Sequence, residues 1–304
     1  MQLVTLNIGG ARKLRPGPYD YTALAADLAA ALRDAIDIHA PAIIALQETG
    51  RAQRDGVTHA VGAALAAALG DTYISAFAAE VTMQHQPHSR LWSRETYAGL
   101  DHAAEGNGIV TNLAPAAWPW ATINTTWMIP TTISAATLYS TGNRDTQPRN
   151  LMVASLNYKE TPLYLLNTHL GVVTGEDRYQ PAHPRTQTGT RRRLDQITQI
   201  MRVVDELRTA ESHHAQAPRP LILTGDFNAI PKSTELDRLR ERLGWLQPEN
   251  PPDERWSHSK HRILIDHVLV DDPMRRLPIK RCYVHTTLPE LSDHRPVIAI
   301  FEET

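Results

Sequence analysis

Apolar runs of strand length alternate with segments of helical period along most of the 304 residues. Residues 22–39 place Leu24, Leu28, Leu32 and Ile36 four apart, which is one face of a helix. Residues 57–69 and 191–207 follow the same period, the latter through Leu194, Ile197, Met201, Val204 and Leu207. Around them lie nine β-type runs: LVTLNI, AIIALQ, GIVTN, TTISAATLY, LMVASL, PLYLLNTHL, LILTGDF, ILIDHVLV and PVIAIF. Several are apolar without interruption, as strands buried between two layers should be. Turn-rich segments separate them at 84–106, 171–190, 210–220 and 247–262. None reads as a linker, and no internal repeat is visible. The pattern predicts one domain over 1–304, an α/β or α+β sandwich.

Polar residues fall at the ends of these strands. Asn7 comes late in the first, Gln47 and Glu48 end the second, and Asn167, Thr168 and His169 end PLYLLNTHL. Asp226 and Asn228 end LILTGDFN, Asp266 and His267 interrupt ILIDHVLV, and Asp293 with His294 precede the last strand. Each alone has an ordinary reading as a turn cap, an Asx turn or a satisfied core histidine. Together they are costly to bury, because each unpaired polar group loses several kcal/mol. A hydrated cation and an anionic substrate would offset that cost. Carboxylates with amide oxygens suit Mg²⁺, which takes oxygen ligands and keeps several waters.

Composition narrows the chemistry. One cysteine, Cys282, excludes an internal disulfide framework, and no Cys cluster or HExxH points to zinc. GxxxxGK[ST] and GxSxG are both absent, which removes P-loop hydrolysis and an α/β-hydrolase elbow. A metal with His and Asp and no nucleophilic Ser or Cys points to water attack on a phosphoryl group. The net charge of −2 argues against nucleic-acid binding by bulk charge. No run approaches 18 apolar residues, and Met1 leads into LVTLNI without the pattern of a signal peptide. Cytoplasmic residence is the expectation, with secretion the alternative if a leader has been removed.

The ordered set TLNI, ALQE, GNGIVTN, QPRNLMVASL, LLNTHL, LTGDFNAIP, LIDHVLV and LSDHRPV resembles that of the endonuclease/exonuclease/phosphatase superfamily, the deoxyribonuclease I-like hydrolases. The resemblance runs from residue 3 to 301. It implies a four-layer α/β/β/α sandwich and Mg²⁺-dependent cleavage of phosphoester bonds, with Mn²⁺ able to substitute. By the same resemblance Glu48 is the main metal carboxylate, supported by Asn7 and Asp293. Asp226 and Asn228 orient and deprotonate the attacking water. His294 contacts the scissile phosphate with Asp266 as its partner, His169 is a second imidazole there, and Asn107 and Arg149 line the cleft. This chain departs in two places: Gly9 stands where many relatives have an acid, and Gln147 where a Glu often precedes Pro-Arg. The first speaks against a second metal; the second leaves a charged partner for His169 in question.

The substrate is less legible. GDFNAIP differs from the GDLNYR-type run of inositol polyphosphate phosphatases. Two inserts, 84–106 and 171–190, join core motifs and should rim the cleft. The first carries Arg90, Trp92, Arg94 and Tyr97, a mixture of cation and ring that stacks on bases or holds phosphates. His85 and His88 lack a carboxylate at metal-binding spacing. The segment 118–130 carries three Trp, which either pack internally or dip into lipid. Arg193 and Gln196 match an Rxx[Q] spacing common in the family. The reading is a nuclease-type phosphodiesterase on DNA or RNA. The alternatives are a hydrolase of phospholipid (sphingomyelinase-like) or small phosphoesters, and a catalytically dead binding relative. No stable protein partner is indicated.

Overall fold

The computed structural model describes residues 1–9, 21–82, 101–118, 127–133, 147–173, 175–286 and 292–302. The first strand, β1 (Gln2–Asn7), shows how the layers arise. Its odd positions, from Leu3 to Asn7, face a second sheet, while Val4 and Leu6 pack on helices. Strand period two thus puts apolar residues on both faces of a buried strand.

β1 pairs in parallel with β2 (Ala42–Arg54) and antiparallel with β14 (Val297–Phe301). The sheet continues on one side to β13 (Ile279–Val284) and on the other to β5 (Asp101–Thr111) and β4 (Ile74–Thr82), with β3 (Val57–Ala60) beside β2. Its outer face carries α1 (Tyr21–Ala35) and α2 (Val61–Leu69), through Leu24, Leu28, Leu32, Val61 and Leu65. In the second sheet β9 (Thr161–His169) and β10 (Leu221–Asp226) are parallel. Outside β10 lie β12 (Asp266–Asp271) and β11 (Gly244–Trp245); outside β9 lies β8 (Asn150–Tyr158), which holds β6 (Ala114–Pro115) and β7 (Met128–Thr132). α3 (Pro184–His213) and α4 (Thr234–Arg240) cover it, burying Ile197, Ile200, Val204, Leu207, Leu236 and Leu239. Between the sheets lie Leu3, Ile43, Ile109, Met152, Leu165, Ile222, Val268 and Phe301. The architecture is the four-layer α/β/β/α sandwich.

Several boundaries differ from the sequence pattern. Residues 57–60 form a strand, because Asp55 and Gly56 both take positive φ (53° and 77°) and close a two-residue hairpin between β2 and β3. That Asp-Gly turn overrides the helical period read from residue 57. α3 begins at Pro184, seven residues before the predicted start, where proline's missing N–H costs a first turn nothing. β4, β13 and α4 carry too few large apolar groups to stand out, though Ser233 caps α4 by accepting from Leu236 N. Of the strand expected at 131–139, only Thr131 and Thr132 fall in a strand, β7 (Met128–Thr132); residues 134–139 lie outside the described residues. Trp118 is buried and stacks on Tyr164 at 6.1 Å, and Trp127 packs against the inter-sheet core.

Candidate active site

Strand register assembles the site. Asp226 on β10 stands opposite His169 on β9 and Asp266 on β12, so the three share one row across three strands. Each continues the inter-sheet parity of apolar residues behind it: Ile222 before Asp226, Leu165 before His169, Val268 after Asp266. The inner face therefore changes from apolar to polar at one end of the sandwich. Below that floor Gln47 donates to Asn167 Oδ1 (2.7 Å), and Asn167 donates to the Leu46 and Gly108 carbonyls, joining the sheets by polar contacts.

Glu48 has the wrong parity for this face, since Gln47 already points inward. The pairing of β2 with β5 shifts register between Leu46 and Thr49, and Glu48 adopts φ 48°. A bulge with a left-handed residue re-aims the carboxylate into the site. There the Asn7 amide nitrogen lies 3.3 Å from Glu48 Oε1 and 3.0 Å from Asp226 Oδ2. Asn7 Oδ1 accepts from Gly9 N (2.8 Å), so its amide is oriented with the N–H groups toward the two carboxylates.

On the opposite side His294 Nδ1 lies 2.8 Å from Asp266 Oδ2, and its Nε2 is 3.8 Å from Asp226 Oδ2. Burial works against charge on His294, but Asp266, Asp226 and Asp293 together outweigh it and raise the imidazole to about 10. His294 is the cation of the site. His169 differs. Arg149 Nη1 lies 2.9 Å from its Nδ1 and Asn228 Nδ2 3.1 Å from its Nε2, so each ring nitrogen faces a donor group. Nε2 faces Asp226 Oδ2 at 3.5 Å and Glu48 Oε1 at 4.0 Å.

The partner left in question for His169 is thus a cation, and behind it stands an acid the sequence did not single out. Glu80 on β4 accepts from Arg149 (2.9 Å), Asn107 Nδ2 (2.9 Å) and Asn150 N (3.1 Å). Its side chain is only 2% exposed, and burial, against the pull of Arg149, raises its pKa. Asn107 and Arg149, expected along the cleft wall, are buried and touch Glu80 and His169 instead.

Asn228 closes the floor from the GDFN turn. Its backbone N donates to Asp226 Oδ1 (2.8 Å), its φ is 49°, and its Nδ2 donates to Leu170 O (2.9 Å). Arg178, from the 171–190 insert, donates to Asn228 Oδ1 and to its carbonyl. Beside Asn228 opens a cleft of about 280 Å³, lined in part by Arg178, Tyr179, Lys232 and Ser233. His258 is a third nearby imidazole, edge-on to His294 at 4.9 Å and 3.8 Å from Asp293 Oδ2. Burial, then the charge of His294, pushes it down to about 4. Neither Arg178 nor His258 was singled out from sequence. Arg90 and Trp92, with His85, His88, Arg94 and Tyr97, lie outside the described residues.

The donor set suits a hard cation. Glu48, Asp226 and Asp293 supply oxygens only, and Asp226, Asp266 and His294 bring one ligand atom each within 4.8 Å of one another. Asp266 and His294 are bonded to each other, and Asp226 accepts from Asn228 N and from Asn7 Nδ2. A Cβ added at Gly9 would lie 3.1 Å from Asp293 Oδ1, so the position where relatives carry an acid adjoins Asp293.

His267, next to Asp266, turns to the other face of β12. It meets the Ala229 carbonyl through Nε2 (2.8 Å) and accepts from Trp245 Nε1 (3.2 Å), a satisfied core histidine. Burial lowers it from 6.5 to about 4. Its stabilising contribution is complete above pH 6.5 and is lost as pH falls through 4. Denaturant unfolding at pH 7 and pH 4 should show about 3 kcal/mol lost by the wild type beyond the loss in His267→Gln. Equal losses in both proteins would refute the assignment.

Among the described residues no helix is long and apolar enough to cross a membrane. The sequence matches the Endonuclease/Exonuclease/phosphatase family over residues 4–294. No curated protein sequence matches it. Among solved structures, an endonuclease/exonuclease/phosphatase from Beutenbergia cavernae is similar at TM-score 0.63 and 17% identity, covering 98% of this chain and 70% of that one. One from Bacteroides vulgatus has TM-score 0.61 and 16% identity over 99% and 98%. The human Nocturnin catalytic domain, solved with a sulfate anion, has TM-score 0.57 and 16% identity over 99% and 94%. The chain belongs to the endonuclease/exonuclease/phosphatase family, whose members hydrolyse phosphoester bonds.

Proposed function

We propose that the protein is a divalent-cation-dependent phosphodiesterase of nuclease type, with Mg²⁺ as the cation and Mn²⁺ as a substitute. The observation that carries this reading is the single row His169–Asp226–Asp266, with His294 bonded to Asp266 and Asn228 to Asp226. It offers a water-orienting carboxylate between two imidazoles. Asn7 and Glu48 from the first sheet meet this row of the second, which supports treating residues 1–304 as one catalytic unit.

Glu48 and Asp293 would hold the cation, with Asn7 beside them; bound there, it supplies positive charge to the phosphoryl oxygens. The remaining work falls to the chain's own groups. Asp226 Oδ2 lies within 4 Å of both imidazoles and orients a water that it deprotonates for in-line attack. His294, charged, meets the negative charge growing on the phosphorus oxygens. His169 Nε2 faces the same region. Asn7 and Asn228 hold the carboxylates and the floor in place.

The rim favours nucleic acid over lipid. Lys260, His261 and Arg262 are exposed beside the exposed ring of Tyr179, whose hydroxyl reaches His261 O (3.4 Å). Lysine and arginine around an open ring suit a polyanion with stackable bases. Trp118, by contrast, is spent on the core, and Trp127 is half-buried against it. Initial rates with Mg²⁺ on plasmid DNA, single-stranded RNA, sphingomyelin vesicles and bis-p-nitrophenyl phosphate test the reading. Nucleic acid should be cut, with the rate falling between about 50 and 200 mM salt. Turnover of sphingomyelin or the chromogenic diester with both nucleic acids left intact would overturn it.

A further inference from the structure

We infer that Arg178 is a positioning residue that sets the orientation of the Asn228 amide, an inference that rests on the catalytic reading above. An asparagine amide turns over easily, and its two ends present opposite hydrogen-bonding character to a substrate. Two contacts decide the matter here. Arg178 Nη2 lies 2.5 Å from one amide atom of Asn228, and a guanidinium can only donate, so that atom is Oδ1. The Leu170 carbonyl lies 2.9 Å from the other atom and can only accept, so that atom is Nδ2. The Asn228 N–H₂ group is therefore directed to the His169 side, where its nitrogen lies 3.1 Å from Nε2. Arg178 Nε also donates to the Asn228 carbonyl (2.8 Å), a second restraint on a non-glycine residue held at φ 49°.

The arginine is itself braced. Glu176 Oε1 lies 3.2 Å from Arg178 Nη2 and 2.9 Å from Arg193 Nη1, with the Glu176 side chain 1% exposed. Arg193 donates in turn to Glu235 on α4 (2.8 Å) and to Gly171 O (3.1 Å). Two arginines and two glutamates so pin the start of the insert to α3 and α4. Gly189, inside α3, confirms how specific the packing is: a Cβ there would run into the Glu176 carboxylate. A helical glycine costs about 1 kcal/mol against alanine, and here it makes room for that acid. The brace places Arg178 behind Asn228, so Arg178 acts through Asn228 and touches no reacting atom.

Steady-state kinetics on bis-p-nitrophenyl phosphate with Mg²⁺ test this, using Arg178→Ala, Arg178→Lys, Asn228→Ala and the double variant Arg178→Ala/Asn228→Ala. Arg178→Ala should lower kcat about 10- to 100-fold, with KM changed less than about 3-fold, because a small misplacement of one catalytic group carries that loss. Arg178→Lys keeps the charge beside Glu176 but cannot donate from two fixed nitrogens, so it should not restore kcat. It also reads the clamp if the alanine variant fails to fold. The double variant should match Asn228→Ala alone, since removing the brace has no further effect once the amide is gone. Wild-type kcat in Arg178→Lys, or losses that multiply in the double variant, would overturn the inference. A wild-type enzyme inactive on every phosphoester would instead sink the functional reading on which it rests.

Discussion

Glu48→Ala should lower Mg²⁺-dependent phosphodiester cleavage by at least about 10³-fold, roughly 4 kcal/mol of transition-state stabilisation. Two features of the position lead to that size. β2 gives up regular pairing and holds a non-glycine residue at φ 48° to turn this one carboxylate inward. The carboxylate also shares the Asn7 N–H₂ group with Asp226, so without a cation two acids converge there. Removing Glu48 relieves that crowding. The metal-free variant should therefore melt no lower than the metal-free wild type, which separates lost chemistry from lost fold. Millimolar Mg²⁺ should raise the wild-type Tm and leave that of Glu48→Ala unchanged, since only a site that binds the ion gains from it. Residual activity above a tenth of wild type, or an equal Mg²⁺ shift in both proteins, would remove Glu48 from the metal site.

Much of this site was visible in the sequence because strands keep a strict period of two. Leu3-Thr5-Asn7, Ile222-Thr224-Asp226 and Leu165-Asn167-His169 each run from apolar to polar at the same parity, so a reader can see where the inner face becomes wet. What parity does not carry is the pairing of distant segments. Glu80 sits in ISAFAAEVT among small residues, and only the register that sets Ala78 opposite Asn107 brings it beside Asn150 and Arg149. Arg178 is one of several charges in a turn-rich insert, and its role comes from a guanidinium folded back over the GDFN turn. The inward aim of Glu48 was equally hidden. Its bulge contains neither glycine nor proline, and by alternation alone it should face α1. The hairpin at Asp55-Gly56 is the opposite case: its signal is in the sequence, and the turn prevails over the helical period read at 57–60.

The same geometry ranks two substitutions on the opposite wall. His294→Ala should cost at least about 10³-fold in kcat, and Asp266→Asn about 10- to 100-fold, because the first removes a donor and a charge and the second only a charge. Asp266 is fully buried and its Oδ2 takes His294 Nδ1 at 2.8 Å. An amide at 266 can donate to Nδ1, which leaves the proton on Nε2 and the donor in place on a neutral ring. In the wild type the imidazole is raised to about 10, so it is charged through the neutral range. Since this lies above the ordinary 6.5, the stabilisation from the pair is complete below pH 6.5 and fades as pH rises through 10. In Asp266→Asn the burial of the ring has lost its strongest opponent, and the charged form recedes to lower pH. The variant should recover relative to wild type as pH is lowered from 8 toward 6, while His294→Ala shows no such recovery. kcat–pH profiles of the three proteins on bis-p-nitrophenyl phosphate decide it. Parallel profiles for wild type and Asp266→Asn would mean that Asp266 holds the ring in position without supporting its charge.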